Sequence, residues 1–451
     1  MQIPADLLKS LKDTKGFNKE AFLRIHDSGE QVTSIRLNPE KPLRNLPFHS
    51  LDPVRIPWTS SGYYLSDRPS FTFDPFFHAG CYYVQEASSM FLEQAFKQLV
   101  KKNSGLKVLD LSAAPGGKST HLLSLLPSNS FLVSNEVIRS RANILKDNII
   151  KWGHSNVMIT NNDPADFTSL AGYFDVIVVD APCSGSGLFR RDPDAIDEWS
   201  LQNVALCSQR QQRILGDIWP ALKENGLLIY STCSYSKEED EQIGEWIMKQ
   251  FSATNCQIDI SGFPGIIESG GGYRFWPDKI AGEGFYLAAF RKTGEAGELD
   301  LKVKNWPEKA FNKEVSIITP WIRKEGLAFI KKENTVYGWP EIYRNDFSFL
   351  LNKLRVVYSG TIIGELVREK LVPDHALAMS HLVNPEVPRF SLNYPQAIQY
   401  LQRKELSLEI KDKGWQGVTY EEQLLGWANV LPNRINNYYP KELRILKDTP
   451  D

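Results

Sequence analysis

The sequence lacks a long apolar run, a cysteine pair and a strong net charge, and each absence narrows the class of protein. None of its apolar stretches approaches the ~18 residues of a membrane-spanning helix, and its start has no apolar core of signal-peptide length. Its five cysteines stand far apart without a C-x-x-C pair, which argues against a disulfide framework and a zinc site. We therefore expect a cytoplasmic protein with reduced thiols, no bound metal and no membrane partner.

Charge is nearly balanced over the whole chain but is unevenly distributed. A formal charge of −2 does not by itself indicate a nucleic-acid binder. From Lys302 onward, however, lie 22 of the 52 basic and 18 of the 54 acidic residues, a local balance of +4, which leaves −6 for the rest. This asymmetry points to the C-terminal third as a face for a polyanion, and ordinary scatter in surface charge accounts for it equally well.

The most informative stretch is LKVLDLSAAPGGKSTHLLSLL, residues 106–126. It predicts a strand ending at Asp110, a loop of small residues and a helix opening at Lys118. A strand, a glycine turn and a helix form the place where α/β sheets bind nucleotides, and glycines let backbone N–H groups approach a ligand closely. Strands and helices alternate beyond this stretch, which predicts a parallel, doubly wound sheet.

Two ligands are compatible with this loop on its own. Gly117, Lys118 and Ser119 match the end of the phosphate-binding pattern G-x-x-x-x-G-K-[ST]. That pattern needs a glycine where the chain has Ser112, and Pro115 removes one amide donor from the loop. A P-loop NTPase therefore stays open as an alternative at this point.

Acidic residues follow the predicted strands after the glycine loop. FLVSNE, NVMITNND and FDVIVVD place Glu136, Asp163 and Asp180 at three successive strand ends. A carboxylate at the first of these positions suits a ribose diol, and a row of acids accepts amines and a positively charged sulfonium but repels a triphosphate. This favours S-adenosylmethionine over ATP, although acids also cap strand ends and helix starts.

Two cysteines follow strand ends, in DAPCSGSG (Asp180–Gly187) and in YSTCSYSKEEDE (Tyr230–Glu241). We expect Cys233 to lie just ahead of a helix that contains Glu238–Glu241, where a helix N-terminus stabilises a thiolate. A thiolate that adds to C6 of a pyrimidine makes C5 nucleophilic enough to take a methyl group. Asp180 is placed to protonate or hydrogen-bond the ring at N3, and the base would have to leave its stack. These arguments do not rank Cys183 against Cys233.

These motifs resemble those of the NOL1/NOP2/Sun family of RNA cytosine-5 methyltransferases. The two cysteine motifs together are highly specific, whereas the glycine loop alone is not. The resemblance covers about residues 35–292 and is carried by SAAPGGK, FDVIVVDAPCSGSG and YSTCS, with support from IRLN, YYVQEASSM, RRDPDAIDEW, RFWP and GEGFYLAAFRK.

The resemblance implies roles for individual residues. Cys233, in the Thr-Cys motif, would be the nucleophile, and Cys183, in the Pro-Cys motif, would assist release of the methylated RNA. The residues implied for S-adenosylmethionine binding are Ser112, Ala113, Ala114, Pro115, Gly116, Gly117, Lys118, Glu136, Asp163 and Asp180.

The expected fold is α/β, with a Rossmann-like class I methyltransferase sheet between two smaller parts. We predict an N-terminal α+β, RRM-like domain over 1–75, a methyltransferase domain over 76–293 and a polar linker over 294–303. The remainder, 304–451, is predicted to be an RNA-binding region ending in a PUA-like domain. Residues 414–444 resemble the PUA-like tail of bacterial 16S ribosomal RNA methyltransferases of the RsmF/YebU type.

We therefore predict S-adenosylmethionine-dependent methylation of carbon 5 of a cytosine in RNA, through a covalent Cys233–C6 adduct. The predicted partner is 16S ribosomal RNA or the small ribosomal subunit, bound by a monomeric protein. A transfer RNA cytosine-5 methyltransferase is the nearest alternative. A P-loop NTPase and a non-catalytic RNA-binding factor are the alternatives from other classes.

Overall fold

The computed structural model describes residues 2–449 except 47, 102–104, 296, 298, 300, 304, 324 and 325. Its N-terminal part forms an antiparallel sheet of order β2-β3-β1-β4. Helices and strands both occur in this part, as expected for an α+β domain. The elements are α1 Ala5–Ser10, α2 Lys19–Asp27, β1 Thr33–Leu37, β2 Val54–Arg55, β3 Gly62–Leu65, α3 Pro75–Ala79, β4 Tyr82–Val84 and α4 Leu92–Leu99.

The central sheet follows in the chain and has the alternating strands and helices expected from the apolar pattern. Strands β9-β8-β5-β6-β7 lie side by side and are parallel. The elements are β5 Lys107–Asp110, α5 Gly117–Leu125, β6 Phe131–Asn135, α6 Arg139–Trp152, β7 Val157–Thr160, β8 Phe174–Asp180, α7 Asp194–Glu198, α8 Leu201–Ile218, β9 Leu222–Thr232, α9 Glu241–Gln250, β10 Ala253–Asn255, β11 Ile266–Ser269, β12 Gly272–Phe275 and β13 Phe285–Lys292.

The prediction of a parallel sheet is confirmed for these five strands and is wrong for the strands at its edges. Beyond β9, strands β13, β12 and β11 continue the sheet in antiparallel order, and β10 pairs with β13. Antiparallel neighbours need only short connections. The connection over 276–284, which contains no crossover helix, therefore sets the direction of the last strand.

The C-terminal region adds two smaller sheets and one strand of the central sheet. Strand β17 pairs antiparallel with β7, at the opposite edge from β11. The other strands form sheets of order β14-β15-β16-β18-β19 and β20-β21-β22-β23. The elements are β14 Glu308–Lys309, α10 Asn312–Ile318, β15 Leu327–Lys332, β16 Thr335–Pro340, α11 Arg344–Leu351, β17 Val356–Ser359, β18 Thr361–Val367, β19 Lys370–Pro373, α12 His375–Met379, β20 Arg389–Leu392, α13 Tyr394–Leu401, β21 Gly414–Tyr420, β22 Gln423–Val430 and β23 Ile435–Asn437.

The domain limits given above remain predictions, and two structural facts bear on them. Strand β4 extends the N-terminal sheet past residue 75. Positions 296, 298 and 300 of the predicted linker, and 304, 324, 325, 450 and 451 of the predicted C-terminal region, lie outside the described residues. Among the described residues, no helix is long and apolar enough to span a membrane.

Apolar residues pack on both faces of the central sheet, and on each face some of them belong to a flanking region. One face packs against the N-terminal part through Ile56 and Trp58. The other face packs against α8, α9 and the C-terminal region. Phe347 of α11 is fully buried there, with its ring centroid 5.5 Å from that of Phe131 on β6. The C-terminal region is therefore part of the same core as the central sheet.

Replacing Phe347 with alanine should destabilise the central sheet as well as the C-terminal region. The cavity left in the shared core predicts a loss of about 3–5 kcal/mol in the free energy of unfolding, measured by denaturant titration. Ile342→Ala, in the same region but 64 % exposed, is the matched control and should change it by less than ~0.5 kcal/mol. If the unfolding transition of the C-terminal region shifted to lower denaturant while that of the central sheet stayed unchanged, the two would not share a core.

Candidate active site

The glycine loop joins the carboxyl end of β5 to the start of α5. Gly116 has a φ of 118°, in the left-handed region that favours glycine. The loop is fixed from α6, because Asn148 donates to the carbonyl of Pro115 at 2.8 Å and Arg141 donates to that of Ala114 at 2.9 Å. The predicted residues of this segment are the loop positions Ser112, Ala113, Ala114, Pro115 and Gly116 and the first helical positions Gly117 and Lys118.

Asp110, the last residue of β5, is a buried carboxylate below this loop. Ser119 donates to its Oδ2 at 2.7 Å, and its Oδ1 has no hydrogen-bond partner among the described residues. Burial raises the pKa of Asp110 to about 7, although the Ser119 hydroxyl and Lys118 act in the opposite direction, and the nearby charges of Asp180 and Glu136 raise it further. Three carboxylates thus converge on one edge of the sheet.

Glu136 and Asp163 follow β6 and β7, but only the first lies directly at a strand end. Glu136 comes immediately after β6, is buried, and accepts the N–H of Ile138 at 3.0 Å. The prediction that a strand runs to Asp163 is wrong, since β7 ends at Thr160. Asp163 instead caps a 3-10 helix over Pro164–Ser169 and is half-exposed. It therefore has the capping contact that acids at such positions often make.

Asp180 ends β8, as predicted, and forms an ion pair with Lys118. The ammonium lies 2.8 Å from Oδ2, and Ser231 of β9 donates to Oδ1 at 2.7 Å. Burial alone would lower the pKa of Lys118, but the negative charges of Asp180 and Asp110 raise it above its usual value. A lysine held in this way is engaged by a carboxylate rather than free for a phosphate.

Cys183 and Cys233 lie in direct contact although 50 residues separate them. Their Sγ atoms are 3.0 Å apart, and both thiols are free. The contact with Cys233 and burial together raise the pKa of Cys183 well above its usual value, so Cys183 keeps its proton, and either sulfur can be the donor in this contact. The expected helix N-terminus is wrong, because α9 begins only at Glu241, eight residues beyond Cys233.

Glu239 holds the two cysteine loops together, and the sequence analysis did not single it out. Its Oε1 accepts the N–H of Ser184 at 2.7 Å, and its Oε2 accepts the hydroxyls of Ser184 at 2.5 Å and Ser234 at 2.6 Å. Each serine directly follows one of the two cysteines. Glu239 is fully buried, and burial raises its pKa against these hydrogen bonds. The run Glu238–Glu241 contains the signal, but spacing alone does not distinguish its four acids.

A second carboxylate of that run supports the Cys233 loop from the strand side. Asp240 accepts the hydroxyl of Thr232, the residue before Cys233, at 2.6 Å. Arg274 of β12 lies 3.1 Å from Asp240 and also pairs with Glu241. The loop that carries Cys233 is therefore fixed on both sides by buried, hydrogen-bonded charges, which favours one rigid arrangement of the thiol pair. No group of three or more His, Cys, Asp and Glu is arranged to hold a metal ion within the part of the chain that the structure describes.

Three family models match the chain in consecutive segments. The largest matches residues 97–291 and describes the 16S rRNA methyltransferase RsmB/F. The others describe the N-terminal domain of 16S rRNA methyltransferase RsmF, over 3–87, and the methyltransferase RsmF PUA domain, over 387–445. The predicted order of an N-terminal domain, a methyltransferase sheet and a C-terminal PUA-like part is confirmed.

Curated proteins named ribosomal RNA small subunit methyltransferase F are similar to most of the chain. A ribosomal RNA small subunit methyltransferase F from Shewanella woodyi is 31 % identical over 415 residues, covering 87 % of this chain and 85 % of the relative. One from Cronobacter sakazakii is 27 % identical and covers 92 % of this chain and 89 % of the relative.

Two solved structures share the fold of the central part. A methyltransferase homologue from Pyrococcus horikoshii is 25 % identical with a TM-score of 0.51, covering 64 % of this chain and all of that one. NSun6 from Pyrococcus horikoshii with SFG is 20 % identical with a TM-score of 0.54, covering 65 % of this chain and 99 % of that one.

Replacing Glu239 with glutamine should loosen the thiol pair. The variant keeps the shape but loses an oxygen that accepts two hydroxyls, which weakens the clamp by ~1.4 kcal/mol. We expect the diamide-driven disulfide between Cys183 and Cys233 to form about tenfold more slowly, as measured by mass spectrometry. Glu238→Gln, at the neighbouring partly exposed position, is the control. An unchanged rate in the Glu239 variant would show that the clamp does not set the Sγ–Sγ distance.

Asp110 should make the protein less stable as the pH rises from about 4 to 7. Its pKa in the fold, about 7, lies above its ordinary value of 3.8, so in this range the folded state holds a proton that the unfolded chain releases, and the free energy of unfolding falls as the pH rises. Asp110→Asn should remove this slope, gaining up to about 3 kcal/mol over the wild type at pH 7 relative to pH 4. Denaturant titrations at each pH measure it, with the exposed Asp52→Asn as the control. Parallel curves for Asp110→Asn and wild type would contradict the assignment.

Proposed function

The chain belongs to the RsmB/F family of 16S rRNA methyltransferases, and from this membership we propose that it methylates carbon 5 of a cytosine in 16S ribosomal RNA. The observation that carries the proposal is the contact between Cys183 and Cys233, 3.0 Å apart. A thiol pair beside a carboxylate–lysine pair suits an attack on a pyrimidine ring followed by release of the product. The methyl donor we propose is S-adenosylmethionine.

The residues at the sheet edge have a chemistry that fits this cofactor. Asp110, Glu136 and Asp180 bring three carboxylates together, and one buried carboxylate oxygen of Asp110 has no partner among the described residues. Such an edge accepts hydroxyls and a sulfonium charge and repels a triphosphate. We propose that the cofactor is held by Ser112, Ala113, Ala114, Pro115, Gly116, Gly117, Lys118, Glu136, Asp163 and Asp180. When bound, it supplies an electrophilic methyl group.

Cys233 is the proposed nucleophile. Its thiolate adds to C6 of the cytosine, which forms the Sγ–C6 bond and moves electron density to C5, while N3 takes a proton from water and Asp180 accepts a hydrogen bond from the N3–H so formed. After C5 has been methylated, water takes the C5 proton, the Sγ–C6 bond breaks with its electron pair returning to sulfur, N3 gives up its proton and the aromatic ring is restored. The target base must leave its stack to reach this position.

Cys183 is proposed to assist the release step. Its pKa is raised well above the usual value by the contact with Cys233 and by burial, so its thiol keeps a proton at neutral pH. A thiol 3.0 Å from Sγ of Cys233 can donate a hydrogen bond to that sulfur as it leaves the ring. This stabilises the departing thiolate and favours product release.

The ribosomal substrate is favoured over transfer RNA by the relatives, which carry the name ribosomal RNA small subunit methyltransferase F. A P-loop NTPase is disfavoured by the ion pair between Lys118 and Asp180, since the lysine of a phosphate-binding loop has to reach the phosphates. A non-catalytic RNA-binding factor would have no need for the thiol pair.

The decisive test compares Cys233→Ala and Cys183→Ala in methyl transfer from labelled S-adenosylmethionine to 16S rRNA and to small subunits. Cys233→Ala should fall below about 1 % of wild-type activity because the nucleophile is lost. Cys183→Ala should accumulate a covalent RNA adduct that survives denaturing electrophoresis. The matched control is Cys256→Ala, since this cysteine directly follows β10 and its thiol donates to the carbonyl of Thr254 instead of the cysteine loops.

If the covalent RNA adduct accumulated with Cys233→Ala instead, Cys183 would be the nucleophile and Cys233 would assist release. Methylation of transfer RNA but not of 16S rRNA would overturn the proposed substrate. Mass spectrometry of the modified nucleoside settles the position, and a methyl group anywhere but on C5 of cytosine would overturn the reaction itself.

A further inference from the structure

A cavity of about 600 Å³ lies between the N-terminal part and α6, within the range of small-ligand sites. We refer to it as the interdomain cavity. One wall comes from the N-terminal part and the other from the end of α6, and Arg191 lies at its rim. Its lining residues include Arg68, Phe71, Phe77, Tyr83, Asn148, Lys151 and Arg191.

The interdomain cavity is cationic in a protein whose net charge is slightly negative. Arg68, Lys151 and Arg191 line it, and no described lining residue is Asp or Glu. The Lys151 ammonium lies 4.5 Å from the ring centroid of Phe77, and burial lowers the pKa of Lys151 to about 8. Three positive charges around one concave space, with no lining carboxylate to balance them, are complementary to an anion.

Aromatic rings give the interdomain cavity a second property, since they offer surfaces for a base. Tyr83 and Phe77 are half-buried, and both line the cavity. Arg68 lies over the ring of Phe71 at 5.5 Å. Bases of unpaired RNA stack on aromatic and guanidinium planes while cations contact the backbone. Cations interleaved with rings therefore fit a nucleotide better than a simple inorganic anion.

The interdomain cavity shares a wall with the glycine loop. Asn148, which lines it, donates to the carbonyl of Pro115 at 2.8 Å. Tyr83, on the opposite wall, lies so close to the loop that a Cβ placed on Gly117 would be 3.6 Å from its Cε1. A ligand in the cavity would therefore lie against the segment proposed to hold the cofactor.

The interdomain cavity also connects to the Cys233 loop. A small neighbouring cavity shares Arg68 and Arg191 with it and reaches Glu283. The next residue, Gly284, donates its N–H to Gly187. Gly187 in turn donates to the carbonyl of Cys233 at 2.8 Å. Backbone hydrogen bonds therefore link the side of the interdomain cavity that holds Arg68 and Arg191 to the loop that carries Cys233.

We propose that the interdomain cavity binds a nucleotide that flanks the target cytosine in single-stranded RNA, with its phosphate among Arg68, Lys151 and Arg191 and its base against the aromatic wall. This inference rests on the proposed function, because it assigns the neighbouring part of the same RNA substrate. It gives the N-terminal part a direct role in holding the strand from which the target base is extruded.

The test measures binding of a labelled single-stranded 16S rRNA fragment over a series of KCl concentrations, using the full chain. Arg68→Gln and Arg191→Gln remove one exposed charge each. Each should weaken binding about five- to tenfold and reduce the slope of log K against log[KCl] by about 0.7, the share of one phosphate contact on single-stranded nucleic acid. Calorimetric affinity for S-adenosylmethionine should remain at the wild-type value, which shows that the variants are folded.

Lys249→Gln is the matched control, since this lysine is exposed on α9, which packs on the opposite face of the central sheet. Its affinity and slope should equal those of wild type. The same affinity and slope in the Arg68 and Arg191 variants would overturn the inference while leaving the proposed methylation intact. Weaker binding to assembled subunits, with unchanged binding to the naked fragment, would assign the cavity to a ribosomal protein and also overturn it.

The two proposals fail separately. Wild-type protein that methylates no RNA would remove the proposed function, whatever the binding series gives. If the Arg68 and Arg191 variants then still bind RNA more weakly and with a smaller slope of log K against log[KCl], the cavity is an RNA site of a protein that catalyses another reaction. Methylation by wild type together with unaltered binding in both variants would retain the reaction and place its RNA strand elsewhere.

Discussion

The buried carboxylate of Glu239 is the contact on which the geometry of the thiol pair depends. The two cysteines come from loops after β8 and β9, which pair in parallel with Asp180 opposite Ser231. Parallel pairing brings the loops to one edge of the sheet but does not fix their side chains. The three hydrogen bonds from Ser184 and Ser234 do so. Because a buried carboxylate is costly without donors, Glu239 and the two serines stabilise one arrangement together.

Sequence patterns identified the parts of this site that belong to a continuous strand and the turn after it. FDVIVVD predicted a buried strand ending at Asp180, and the structure has that strand over Phe174–Asp180. The same logic was wrong for Asp163, because NVMITNND is polar in its second half and the strand stops at Thr160. Polar residues there bond to neighbouring loops instead of continuing the ladder: Asn161 donates to the carbonyl of Glu136. A short apolar run thus predicts that a strand exists better than where it ends.

Contacts between distant segments could not be predicted in the same way. The four residues of β17 are too few to show a hydrophobic pattern, and nothing in them indicates pairing with β7, which lies nearly 200 positions earlier in the chain. Arg36 of the N-terminal sheet is fully buried and donates to Thr120 of α5 at 2.6 Å. An arginine in a sequence is expected at the surface, so only the fold shows that it links two parts. Such residues depend on partners that no local pattern contains.

The near-neutral charge of the chain conceals two opposite local fields. Carboxylates gather at the ends of β5, β6 and β8, whereas Arg68, Lys151 and Arg191 surround the neighbouring interdomain cavity. Under the two proposals, the positively charged cofactor meets the carboxylates and the phosphate of the strand meets the three basic residues. Two ligands of opposite charge would then be distinguished by the local charge of each site, which the net charge of the whole chain does not reveal.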